Sequence, residues 1–173
     1  MGDPHNPKRA GERWDQTRID AQLKELKAIK EFVVISGGWA WHFMSPKGHP
    51  EIKTQHDHKD IDIFVDPGDF AELRQMLVER GFKRARTQYD SPSGKFYRFT
   101  KYIEDGKIVF DVFLEQVPYI QLHGFNVVEP ETLLSFYGSK HSSHECLAVQ
   151  EAKKLVAKGI SPVGRPELVE KEG

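Results

Sequence analysis

The run Asp60-Ile61-Asp62-Ile63-Phe64-Val65 alternates acid with isoleucine and then turns apolar, the pattern of a β-strand. Side chains two apart on a strand point to the same side, so the Asp60 and Asp62 carboxylates project together from its start. Two close carboxylates repel each other, and a divalent cation relieves that repulsion. Their hard oxygens suit Mg²⁺, which typically takes one or two protein carboxylates and completes its shell with water and phosphate oxygens. Upstream, the apolar run 32–35 leads directly into Ser36-Gly37-Gly38. A strand that breaks at small residues and resumes as helix offers backbone N–H groups to phosphate oxygens.

A third acid lies downstream. Residues 107–114 form a strong strand pattern with one charge inside it, Asp111, on the same face as Val109 and Phe113. An acid there is costly to bury without a partner. A buried arginine or backbone donors would satisfy it structurally. The functional expectation ranks first, because a neighbouring strand already presents Asp60 and Asp62.

The rest of the chain frames these strands. Residues 1–13 read as a mobile N-terminal tail, 14–128 as the core, and 129–173 as a C-terminal helical extension of the same domain. A helix is expected from about Trp14 to Lys30, with Ile19, Leu23, Leu26 and Ile29 on its apolar face. Trp39–Met44 reads as a short buried helix, with Trp39 in the core and Trp41 in either core or pocket. Ser45 to Lys59 is a polar loop. Asp66-Pro67 opens a further helix faced by Phe70, Leu73, Leu77 and Val78, and Gly81 stops it. Strands are expected near 82–87, 96–103 and 107–114, the last two joined through the Asp105-Gly106 hairpin signal. A short extended piece at 124–128 and two terminal helices, near 130–137 and 143–158, complete an α+β chain with a mixed sheet flanked by helices.

The totals narrow the classes. The 173 residues carry a net charge of −1 and a single cysteine, Cys146, so an intramolecular disulfide and a Cys-based zinc site are excluded. No segment approaches the ~18 apolar residues of a membrane span, and the N-terminus lacks a signal-peptide core, so a cytoplasmic location is expected. Between Arg80 and Lys101 the chain carries Lys83, Arg84, Arg86, Lys95 and Arg98 as well, against one acid, Asp90. This stretch reads first as a solvated sheet edge and second as a phosphate or RNA contact face.

The ordered set Ser36-Gly37-Gly38, Asp60-Ile61-Asp62 and Asp111 resembles the DNA polymerase β-type nucleotidyltransferase superfamily. The stretches Gly37–Ala40 and His58–Asp62 are most similar to small aminoglycoside and lincosamide nucleotidyltransferases, and toxin–antitoxin nucleotidyltransferases share the core pattern. The resemblance spans roughly residues 32–114. It implies a nucleotidyltransferase fold and transfer of a nucleoside monophosphate from an NTP such as ATP to an acceptor hydroxyl, with pyrophosphate released. It also implies roles. Asp60, Asp62 and Asp111 would be the catalytic acids and would hold Mg²⁺, two ions in all. Ser36, Gly37 and Gly38 would cradle the triphosphate, with Lys53, His58 and Lys59 as further contacts. The acceptor is either RNA or a small molecule such as an antibiotic. Two features depart from the family pattern: a longer loop between Gly38 and Asp60, and Lys59 where an acid usually stands.

Two rival readings use the same residues. His56-x-His58-x-Asp60 spells a hydrolase metal motif that would favour zinc, although Ile61 stands where that motif continues with histidine. A non-catalytic nucleotide-binding or antitoxin-like module is the other.

Overall fold

The computed structural model describes residues 15–44, 58–88, 90, 94–104, 106–129, 131–133 and 135–136. The expected tail, most of the polar loop with Lys53 and His56, Cys146 and the second terminal helix lie outside the described residues.

Helix α1 (Gln16–Ile29) starts at Asp15, whose carboxylate accepts a hydrogen bond from the Arg18 amide at 3.2 Å and satisfies one of the free N–H groups of the first turn. Strand β1 (Val33–Ser36) runs directly into helix α2 (Gly37–Met44), so the glycine pair is the start of a helix rather than a separate turn. Strand β2 (Asp60–Val65) follows, then a 3₁₀ turn (Pro67–Asp69) and helix α3 (Phe70–Glu79). Asp66 caps that turn by accepting from the Gly68 amide at 2.8 Å. Gly81, at φ +95, ends the helix in the left-handed conformation that glycine adopts without strain.

Strands β3 (Lys83–Ala85), β4 (Phe96–Ile103), β5 (Gly106–Leu114), β6 (Tyr119–Leu122) and β7 (Phe125–Val128) complete a seven-stranded mixed sheet in the order β3-β4-β5-β2-β1-β7-β6. Strand β6 has no counterpart in the sequence reading. It is four residues long and, among the described residues, pairs only with β7, so its order comes from that partner rather than from a strong pattern of its own. Residues 131–133 and 135–136 are helical, as expected for the first terminal helix.

The central pair, β2 and β5, runs parallel in register from Asp60↔Val109 to Val65↔Leu114. One face of this pair, with Ile61, Ile63, Ile108, Phe110 and Val112, is almost completely buried beneath the helices. Trp39 and Trp41 are both fully buried, which settles Trp41 as core. The opposite face carries the acids.

Helix α1 turns the expected Ile19, Leu26 and Ile29 inward and adds two polar residues to the buried face. Leu23 is only half-buried, whereas Gln22 and Glu25 are buried beside Ile19, Leu26 and Ile29. Both polar residues have strong partners. Gln22 donates to the His58 carbonyl at 2.6 Å, and Glu25 takes Arg80 at 2.6 Å and Lys101 at 2.7 Å. A buried carboxylate held by two cations is tolerated where an unpaired one is not. Burial alone would raise the Glu25 carboxyl, but the hydrogen bonds and charges of Lys101 and Arg80 outweigh it and hold the group below its ordinary 4.5.

Glu25→Gln is therefore expected to lower stability by about 1–3 kcal/mol in urea unfolding, less than for a wholly buried pair because both cations reach water. The wild-type advantage over this variant should be complete above the ordinary carboxyl value. It should shrink as pH falls below 4.5 and the folded-state carboxylate protonates. An advantage that persists unchanged into stronger acid would contradict the assignment.

Candidate active site

The strand registers assemble the site. In β1–β2 Ser36 pairs with Asp62, in β2–β5 Asp62 pairs with Asp111, and in β4–β5 Arg98 pairs with Asp111. Residues directly opposite on neighbouring strands face the same side. Ser36, Asp62, Asp111 and Arg98 therefore form one transverse row, and Asp60 joins it two residues up β2. The three acids thus lie on one face of two adjacent strands.

Gly37 closes the row at its β1 end. Its φ is +63, and a methyl group built on it would overlap Oδ2 of Asp62. Only glycine allows the start of α2 to lie this close to the carboxylate. Ser36 and Gly37 thus lie beside Asp62.

The electrostatics are uneven along the row. Arg98 forks Asp111, with Nε to Oδ1 at 2.6 Å and a terminal nitrogen to Oδ2 at 2.9 Å, and the same head lies 3.7 Å from Oδ2 of Asp60. This bidentate geometry is the strong form of the contact. The hydrogen bonds to Asp111, followed by the surrounding carboxylate charges, raise the affinity of Arg98 for its proton despite partial burial. Asp62 lacks such help: among the described residues no side chain donates a hydrogen bond to it. Burial first, then the charges of Asp111 and Asp60, push its carboxyl up to about 8. One guanidinium does not balance three carboxylates.

That imbalance bears on whether a divalent cation fits. The donors are all carboxylate oxygens, the set Mg²⁺ prefers, and Asp60 and Asp62 project together beside excess negative charge. Among the described residues no three His, Cys, Asp or Glu side chains are already gathered into a ligand set. Asp111 is committed to Arg98. The residues fit a cation seated on Asp60 and Asp62, with Asp111 reachable only if the fork opens.

The approach to β2 differs from the sequence expectation. His58 is fully buried rather than turned to a phosphate. Its Nε2 lies 2.9 Å from Nδ1 of His42, and its ring sits edge-on to Trp39. Its carbonyl accepts from Gln22 and, at 3.3 Å, from the Trp39 indole. His58 is a packing and anchoring residue here, because two helices converge on it. The hydrolase spelling loses support with it: the His58 ring is engaged with α2, and His56 lies outside the described residues. Lys59, half-buried, immediately precedes β2.

Sequence reasoning missed Arg98, Gln22 and the anchoring role of Trp39. For Arg98 the hairpin signal pointed to the wrong register. A two-residue loop at Asp105-Gly106 would set Thr100 opposite Asp111, whereas the observed pairing of Ile103 with Gly106 sets Arg98 there. Gln22 had none, since its partner is a backbone carbonyl 36 residues away in sequence.

The basic stretch is largely spent on structure. Arg80 and Lys101 hold Glu25, Arg84 pairs with Asp90 at 3.3 Å and lies 4.6 Å from the Tyr97 ring centre, and Arg98 holds Asp111.

No protein-family model matches the chain, and the search of curated proteins finds no match. Solved structures do match. The lincosamide antibiotic adenylyltransferase LnuA, with lincomycin bound, is similar at a TM-score of 0.53 and 16% identity, over 82% of this chain and 98% of that one. ANT(2")-Ia in complex with adenylyl-2"-tobramycin is similar at 0.50 and 16% identity, over 73% of this chain and 78% of that one. The solution structure of the antibiotic-resistance factor ANT(2'')-Ia is similar at 0.54 and 16% identity, over 84% and 85%. The structural neighbours are lincosamide and aminoglycoside nucleotidyltransferases, and the chain has their nucleotidyltransferase fold.

Gly37→Ala is expected to cost about 1–3 kcal/mol from the left-handed backbone alone, with more added as Asp62 is displaced. Denaturant unfolding measures the loss. Unchanged stability would contradict the close approach of Gly37 to Asp62.

Proposed function

We propose that this protein is a divalent-metal-dependent nucleotidyltransferase that moves a nucleoside monophosphate from an NTP to an acceptor hydroxyl, releasing pyrophosphate. The carrying observation is the row of Ser36, Asp62 and Asp111 with Gly37 packed on the Asp62 carboxylate, in a fold shared with nucleotidyltransferases.

Asp60 and Asp62 are the residues that hold a cation. Bound there, such an ion supplies charge neutralisation for the triphosphate. Backbone N–H groups at Gly37 and Gly38, with the Ser36 hydroxyl, orient the phosphate oxygens. The acceptor oxygen forms its bond to the α-phosphorus as the bond to the β-phosphate bridge breaks. Asp111 takes the hydroxyl proton or adds a ligand oxygen. Positioning and charge account for most of the rate, as is general for phosphoryl chemistry.

A small-molecule acceptor is favoured over RNA. Four of the seven cations of the basic stretch are engaged in ion pairs, which weakens the case for a polyanion. The neighbours named for lincosamide and tobramycin complexes support the same direction.

Incubation with Mg²⁺ and each labelled triphosphate, against a panel of lincosamides, aminoglycosides and total RNA, is expected to label a small antibiotic. Asp62→Asn should reduce transfer by about 10³-fold or more. The same variant should unfold at an equal or higher denaturant concentration, because burial and the neighbouring carboxylates make the ionised form of Asp62 costly in the folded state. Transfer retained at the wild-type rate would overturn the assignment. Wild-type protein inactive with every acceptor, together with a biological effect that survives Asp62→Asn, would favour the non-catalytic binding module.

A further inference from the structure

We propose that Arg98 is an internal counter-ion of the carboxylate row, and that its guanidinium and a divalent cation compete for Asp111. This rests on Asp60 and Asp62 being the cation ligands. It goes beyond that reading by assigning Arg98, which no part of the proposed chemistry uses, a positioning role in the site.

A guanidinium forked onto a carboxylate engages both of its oxygens. With contacts at 2.6 and 2.9 Å, Asp111 is committed to Arg98. In that state both of its oxygens are occupied, so it is a poor ligand for a cation. The same head lies 3.7 Å from Asp60, so the charge is shared across the row. Asp62, facing Gly37, receives the least of it.

The charge count sets the direction. One guanidinium offsets one of three carboxylates, whereas a divalent cation offsets two. A cation seated on Asp60 and Asp62 weakens the hold of the row on Arg98 and leaves Asp111 available. The side chain can leave. The Arg98 and Asp60 side chains are 28% and 34% exposed, so the head has a path to water, whereas Asp111 is 10% exposed and stays on its buried strand. The opposite holds at Glu25, where two cations bind one carboxylate and no excess negative charge remains to draw a metal. Arg98 thus keeps Asp111 aimed and its charge offset until a cation arrives, and its displacement links cation loading to release of the third acid.

The test is Mn²⁺ binding, followed by electron paramagnetic resonance at mildly alkaline pH, for wild type, Arg98→Gln, Arg98→Lys and the double variant Arg98→Gln/Asp111→Asn. Arg98→Gln is expected to bind Mn²⁺ about tenfold more tightly, the scale of one partly screened charge at contact. Arg98→Lys, which keeps the charge but cannot fork, should show a smaller gain. The double variant should lose the gain. Equal or weaker Mn²⁺ binding by Arg98→Gln, with its near-ultraviolet circular dichroism preserved, overturns the proposal. Should Arg98→Gln fail to fold, Arg98→Lys decides: a gain supports competition, and none overturns it. Binding by wild type that Asp62→Asn abolishes, without any gain in the Arg98 variants, sinks this inference alone. Absence of binding in every form removes the cation reading beneath it.

Discussion

Like-charge repulsion along one row of a β-sheet is the constraint that organises this molecule. Asp60, Asp62 and Asp111 project from the two central strands, and in-register parallel pairing leaves them no way to spread apart. The pairing cannot slip by one residue, because Ile61, Ile63, Phe110 and Val112 on the opposite face would be driven out of the core. Hydrophobic burial on one side of the sheet thereby holds electrostatic strain on the other. Arg98 relieves part of that strain, and the remainder is concentrated at Asp62 beneath Gly37. A site that keeps unbalanced charge at the cost of stability is the usual mark of a binding or catalytic function.

The surrounding structure reads as support for that row. The His58 carbonyl, two residues before Asp60, is gripped by Gln22 from α1 and by Trp39 from α2. The entry of β2 is pinned from two helices at once. Glu25, one turn along α1 from Gln22, ties the same helix to β4 through Lys101 and to the end of α3 through Arg80. These polar contacts replace the uniform apolar face that the helix would otherwise present. They also consume part of the positive charge of the stretch that, read from the sequence alone, was a solvated sheet edge first and a phosphate or RNA contact face second.

Much of the site was legible because it depends on local rules. The period-two pattern placed Asp60 and Asp62 on one side of a strand, and the lone acid in 107–114 marked Asp111. The small residues after the apolar run 32–35 located the bend. His58 was misjudged because the same residue serves two purposes in a chain: its position beside Asp60 suggested a phosphate contact, while burial against Trp39 and His42 follows from how α2 packs. Strand β6 was missed because four residues beside a partner strand need little propensity of their own.

The amino-acid sequence by itself determined most of the order of the elements, the α+β class and the strands that carry the three acids, since each follows from spacing within a few residues. Only the tertiary structure decided which groups stand beside them. Arg98 opposite Asp111 follows from where the β4–β5 hairpin turns, and a two-residue change there would present Thr100 instead. Gly37 against Asp62 follows from β1 pairing with β2. Charge balance is set by distances across strands, and those distances exist only once the sheet has chosen its register.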